Sequence, residues 1–141
     1  MKKVLLFLLS LLGYDTFSQL PFVLENDDKE VKITNQFYFF EDFTGDFSEK
    51  NLGKTQFESN FKPTKKTNFG YTSSTIWLKI NLKNNSENHY LLELDNPNID
   101  EIEFFLLQNN QIIYHFIAGD HHSIKTYLIK DRNPIFPLNL K

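Results

Sequence analysis

Two places in this chain carry side-chain types that can do chemistry. In Gly119-Asp120-His121-His122 a carboxylate and two imidazoles follow a glycine, and each is a competent ligand for zinc or a similar ion. Adjacent histidines on a strand point to opposite faces, so both reach one ion only from a loop. No third ligand stands at metal-site spacing: His115 lies on a neighbouring β-rich run, His89 is elsewhere, and the EF-hand pattern is absent. The alternative is a Gly-Asp turn with solvated histidines, and no metal or other cofactor is expected.

Trp77 is the second candidate. In Ile76-Trp77-Leu78-Lys79-Ile80-Asn81-Leu82 the isoleucines and leucines share one strand face and Trp77, Lys79 and Asn81 share the other. If the first face is core, the indole is presented to solvent, where it can stack on the apolar face of a sugar ring. The competing reading is that Trp77 is packed, because strands of a sandwich use both faces. Enzyme chemistry finds little footing. There is no Gly-x-Ser-x-Gly elbow, no phosphate-cradling glycine loop, no His-Glu-x-x-His and no cysteine. Neighbouring acids occur in two places, Asp27-Asp28 and Asp100, Glu101 and Glu103, as some must in a chain with 18 of them. A secreted hydrolase is thus the weakest of the functional classes considered.

The elements that must position these residues are short strands. The 141 residues suit one domain with a modest core. Aromatics make up 16% of the chain, 15 of them Phe, which favours pleated surfaces over helical bundles. A strand is expected from Val31 to about Phe40. Asp46 standing three residues before Glu49 has the spacing of a capping box, and Gly53 offers a stop, so one short helix is expected near Phe47 to Leu52. The Ile76 to Leu82 run follows, then a strand from His89 to Leu94 and an Asn96-Pro97-Asn98 break. Glu101 to Leu107 and Gln111 to Ala118 flank a polar Gln108-Asn109-Asn110 connection and form the clearest hairpin. Further strands are expected from Ile124 to Ile129 and from Ile135 to Leu140. Strands at this spacing indicate an all-β sandwich or a partly closed barrel.

At the N-terminus, basic Lys2-Lys3 precede an apolar stretch from Val4 to Leu12 and the small or polar residues before Gln19. That is the layout of a secretory signal cleaved after Ser18, and the stretch is far short of the ~20 residues that span a bilayer. Residues 1–18 are therefore expected to be a signal peptide, 19–30 a leader and 31–141 the domain. The product would be exported, periplasmic or extracellular. Lys and Arg number 15 against 18 Asp and Glu, a net −3. The one basic cluster, Lys62, Lys65 and Lys66, fits a solvated loop, so nucleic acid is not an expected partner.

Phe40-Glu41-Asp42, the Phe47 to Leu52 segment, Gly70 with Trp77, Asn96-Pro97, Gly119-Asp120, and Arg132 with Phe136-Pro137-Leu138 occur in that order. Taken together they resemble the extracellular sensor domain of bacterial seven-transmembrane receptors with diverse intracellular signalling modules, the DISMED2 type, over about residues 30–141. The resemblance implies a jelly-roll-like antiparallel β-sandwich akin to carbohydrate-binding modules, with one short helix. It also implies a non-catalytic sensor for a small-molecule ligand such as a sugar. It carries over two charged positions: Arg132 as a fork for a carboxylate or a hydroxyl pair, and Asp42, which otherwise caps the turn before the short helix. With Trp77, Asp120 and His121 these make the candidate ligand-binding set. Family domains continue past the Phe-Pro-Leu strand, and family receptors add seven membrane helices and an output domain. A chain stopping at Lys141 is therefore expected to lack the last strand of its sandwich and to meet a membrane only through a missing C-terminal part. An unpaired edge would make homodimers by strand addition the expected oligomer. The alternative function is a free-standing secreted carbohydrate-binding or adhesion-type sandwich without a signalling role.

Overall fold

The structure, a computed structural model, describes residues 20–25, 30–33, 35–66 and 68–138. The signal-peptide expectation lies outside them. Among the described residues no helix is long and apolar enough to cross a membrane.

The chain is an all-β sandwich carrying one short α-helix. Its strands are β1 (Phe22–Leu24), β2 (Tyr38–Asp42), β3 (Lys62–Pro63), β4 (Thr75–Lys79), β5 (Leu82–Asn84), β6 (Tyr90–Glu93), β7 (Ile102–Gln108), β8 (Gln111–Ala118) and β9 (Ile135–Leu138), and the helix α1 is Thr55–Glu58. They pair as β3-β2-β4, β6-β9 and β7-β8, all antiparallel, and as β1-β5, which is parallel.

Several elements differ from the sequence expectation, each for a local reason. The single strand expected over Ile76 to Leu82 is split. The Asn81 carbonyl accepts a hydrogen bond from the Phe22 N–H at 2.8 Å, so the chain turns from its partner β2 to its parallel partner β1 at that point. The strand expected from Val31 starts only at Tyr38. The expected helix over Phe47 to Leu52 is a 3-10 turn, Glu49–Asn51, whose leading Ser48 N–H donates to Asn51 Oδ1 at 2.9 Å. Gly53, with φ +76, then links that turn to α1 and does not end a helix. The strand expected over Ile124 to Ile129 is instead a 3-10 turn, Ile124–Thr126, started by Ser123, whose carbonyl accepts from Thr126 N–H at 2.8 Å. The hairpin forms as expected, with a two-residue tip: Asn109 and Asn110 take φ of 52° and 60°. Two successive positive φ values are what a tight hairpin turn matching strand twist requires, and Asn tolerates them.

The phenylalanines build two aromatic layers. Phe57, on α1, is 1% exposed and sits among Phe40, Phe47, Phe61 and Trp77, with ring centroids 5.0 to 6.2 Å away. Burying such a ring contributes about 1.5–3 kcal/mol, which holds a four-residue helix too short to be stable alone. Lys79 fastens the same helix from outside, pairing with Glu58 and lying 5.1 Å over the Phe61 ring. The hairpin joins the layers, because consecutive residues of a strand point to opposite faces. Phe105 stacks toward Trp77 at 6.5 Å, and Phe104 stacks on Phe136 of β9 at 4.5 Å.

Candidate functional site

Three turns meet at the base of the hairpin, and main-chain hydrogen bonds hold them together. The Asp120 N–H donates to the Ile99 carbonyl at 2.8 Å, and the His121 N–H donates to the Asp100 carbonyl at 3.1 Å, tying the Gly-Asp turn to the segment after Asn96-Pro97. The Leu94 N–H donates to the Pro134 carbonyl at 2.9 Å. Beside it the Asn133 side-chain amide donates to Glu93 at 2.6 Å and to Asp95 at 3.3 Å. These bonds draw the Arg132-Asn133-Pro134 turn onto the strand end that leads into Asn96-Pro97.

Gly119 is the tightest point of this junction. Its φ is +115, and a Cβ there would stand 2.5 Å from the Asp100 carbonyl oxygen, so only glycine fits. The Tyr127 hydroxyl closes on the same residue, accepting from the Gly119 N–H at 2.8 Å and donating to its carbonyl at 2.9 Å. The hydroxyl both donates to and accepts from Gly119, and the 3-10 segment is thereby pinned to the Gly-Asp turn.

Between the turns lies a concavity of about 380 Å³. Pro97 and Asn98 form one wall, Asp120 and His122 a second, and Arg132 and Pro134 a third, with Tyr127 and Ile124 closing it. Asp120 and Arg132 are both exposed on this wall and form no ion pair with each other or with any other described residue. The site thus offers one free anion, one free cation and an imidazole on a frame held by backbone bonds. Such an arrangement suits binding a small polar molecule. Among the described residues no three His, Asp or Glu side chains group closely enough to hold a metal ion.

The five residues singled out from sequence fall in four places. Asp120 and Arg132, 12 positions apart in the chain, come together on the cavity. His121 is exposed and does not line it; its neighbour His122, whose N–H donates to the Gly119 carbonyl at 2.9 Å, does. Trp77 lies in the first aromatic layer, edge-on to Phe57 at 5.0 Å, with its indole nitrogen buried and without a hydrogen-bond acceptor. Trp77 is thus packed, the competing reading of the sequence, while on the other face of β4 Leu78 is 45% exposed and Ile76 half-buried.

Asp42, at 2% exposure, is turned in on its own chain. Its carboxylate accepts from the N–H groups of Gly45 at 2.9 Å, Phe47 at 3.1 Å and Thr44 at 3.3 Å, and from the Thr44 hydroxyl at 3.1 Å. Burial pushes the carboxyl pKa up, but the bonds from Phe47, Thr44 and Gly45 outweigh it and hold the group below its ordinary value. The sequence reading named His122 only beside His121 and did not single out Asn98 or Tyr127 as wall residues. The signal that could have found Tyr127 is Ser123, a turn starter directly before what otherwise reads as a strand.

The family described as 7TMR-DISM extracellular 2, 7TMR-DISMED2, matches residues 34–141. The chain belongs to that family. Searches of curated proteins and of solved structures returned no match. Membership makes the 7TMR-DISMED2 chain a sensor module of the kind found on signalling receptors, and such an extracellular domain works outside the cytoplasm.

Proposed function

We propose that this chain is the non-catalytic, ligand-binding part of a bacterial signal-transduction receptor, and that its ligand site is the cavity between the Asn-Pro, Gly-Asp and Arg-Asn-Pro turns. The observation that carries the proposal is the convergence of Asp120, His122 and Arg132, unpaired, on one concavity whose frame is fixed by Gly119 and Tyr127. A rigid frame with free charges binds without first breaking internal contacts or ordering a loop. The test is thermal unfolding of the chain against a panel of monosaccharides, carboxylates and amino acids. A compound that occupies the folded state raises Tm. Arg132→Gln and Asp120→Asn are expected to abolish that rise while leaving Tm without ligand unchanged. A rise that persists in both variants contradicts the assignment.

A second reading, a free-standing secreted carbohydrate-binding or adhesion sandwich, draws on a different surface. Tyr71 and Phe43 are fully and largely exposed, and their loops are joined where the Thr72 hydroxyl donates to Glu41 at 3.2 Å. Exposed rings at one end of a sandwich are natural platforms for sugar stacking. In the same panel this reading predicts a sugar response lost in Tyr71→Ala and kept in Arg132→Gln.

A further inference from the structure

Resting on the cavity as the ligand site, we infer that its ligand is a small zwitterion, an amino acid or a comparably small molecule carrying both a carboxylate and an ammonium group. Three observations lead there. First, the walls present a guanidinium and a carboxylate that do not neutralise each other: no nitrogen of Arg132 lies within 4.0 Å of an Asp120 oxygen. Opposite charges held apart across a cavity are complementary to a molecule that also holds opposite charges apart.

Second, the frame fixes the main chain that carries them. Asp120 is tethered through its N–H to Ile99 and follows the locked Gly119, while Arg132 precedes Asn133, whose side chain is bound to Glu93 and Asp95. A bidentate guanidinium fork matches a carboxylate, and the Asp120 carboxylate is a matching acceptor for an ammonium group. Third, the Tyr127 hydroxyl, which a neutral polyol would want as a donor, already gives its only hydrogen to the Gly119 carbonyl. The pair of charges also selects against simpler ions. A carboxylate without an amine meets the Asp120 charge, and an amine without a carboxylate meets Arg132, so each half-ligand carries a repulsive contact that the zwitterion converts to an attraction. A cavity of about 380 Å³ is of the size that takes such small molecules.

Titration calorimetry of the full chain with L-alanine, L-glutamine, propionate, ethylammonium and glucose tests the inference. At least one amino acid is expected to bind, with propionate and ethylammonium weaker by tenfold or more. Arg132→Gln and Asp120→Asn are each expected to weaken it at least tenfold, the scale of one charge-assisted bond. Circular dichroism of the variants checks that these exposed replacements leave the fold intact. Glucose or propionate binding alone, sensitive to Arg132→Gln, overturns the zwitterion while leaving the cavity as the site. Amino-acid binding indifferent to both variants overturns the zwitterion and the site together. No binding of any probe overturns the inference as well.

Discussion

Asp42 and Arg132 show how two charged residues are used in opposite ways. Asp42 is buried and spent on its own turn, with four donors on one carboxylate, while Arg132 has no ion-pair partner among the described residues. Because the folded-state pKa of Asp42 lies below the ordinary 3.8, its stabilisation is present in full above the unfolded-state pKa. It is lost as pH falls through the folded-state value. Acid titration of stability should therefore show a loss beginning below about pH 4, and Asp42→Asn should flatten that part of the profile. The same variant should cost about 1–2 kcal/mol at neutral pH, because the amide can no longer accept from both sides. At Gly119 an alanine meets the Asp100 carbonyl at 2.5 Å and a backbone it rarely adopts. Gly119→Ala should destabilise by about 2–3 kcal/mol in urea unfolding and disturb the cavity wall with it. At this scale the sequence was informative about which turns matter and poor about which side chain in a turn faces inward. His121 and His122 are adjacent and identical, and only the bonds from Gly119 and Asp100 decide between them. For Trp77, alternation correctly separated two faces, but both faces of β4 are rich enough in apolar atoms that the inner one could not be told from the outer.

Elements with a local alternation pattern were legible, and the places where a distant partner interrupts that pattern were not. The β7-β8 hairpin follows from alternation and from Asn109-Asn110, and β6 from alternation alone although its partner β9 lies far along the chain. The division of the Ile76 to Leu82 run follows from a parallel partner some 60 residues upstream, which no local pattern encodes. The strand β8 leads to a prediction of its own. Among the described strands only β7 pairs with it. Ile112, Ile113, Tyr114 and Ile117 are 37 to 48% exposed, and the strand has no proline and no Lys, Arg, Asp or Glu. Edges are usually blunted by charge or proline, and this one is not. Sedimentation velocity should therefore show concentration-dependent association of the chain through this strand. An Ile113→Lys/Ile117→Lys variant should sediment as a monomer with an unchanged β spectrum. Monomeric wild-type protein at every concentration would rule the edge out as an association surface.

For the molecule as a whole, the sandwich places its two aromatic layers on either side of one hairpin and leaves the ends of the strands free to carry turns. The all-β class was readable from aromatic content and turn spacing, since both are properties of the whole chain. The cavity was not, because it exists only once turns near residues 97, 119 and 132 are drawn together by long-range main-chain bonds. The central claim of the proposed function is that this sensor module meets its ligand at the turn junction, and not at the Trp77 layer or the Asp42 turn. The most direct test is a map of backbone and indole N–H chemical shifts of the isotope-labelled chain titrated with a mixture of amino acids, monosaccharides and small carboxylates. Trp77 is the only tryptophan, so its indole signal is unambiguous. The account predicts shifts at Asn98, Gly119, Asp120, His122 and Arg132 with the indole signal unmoved. Shifts confined to the Trp77 indole and the Asp42 to Phe47 turn would contradict it.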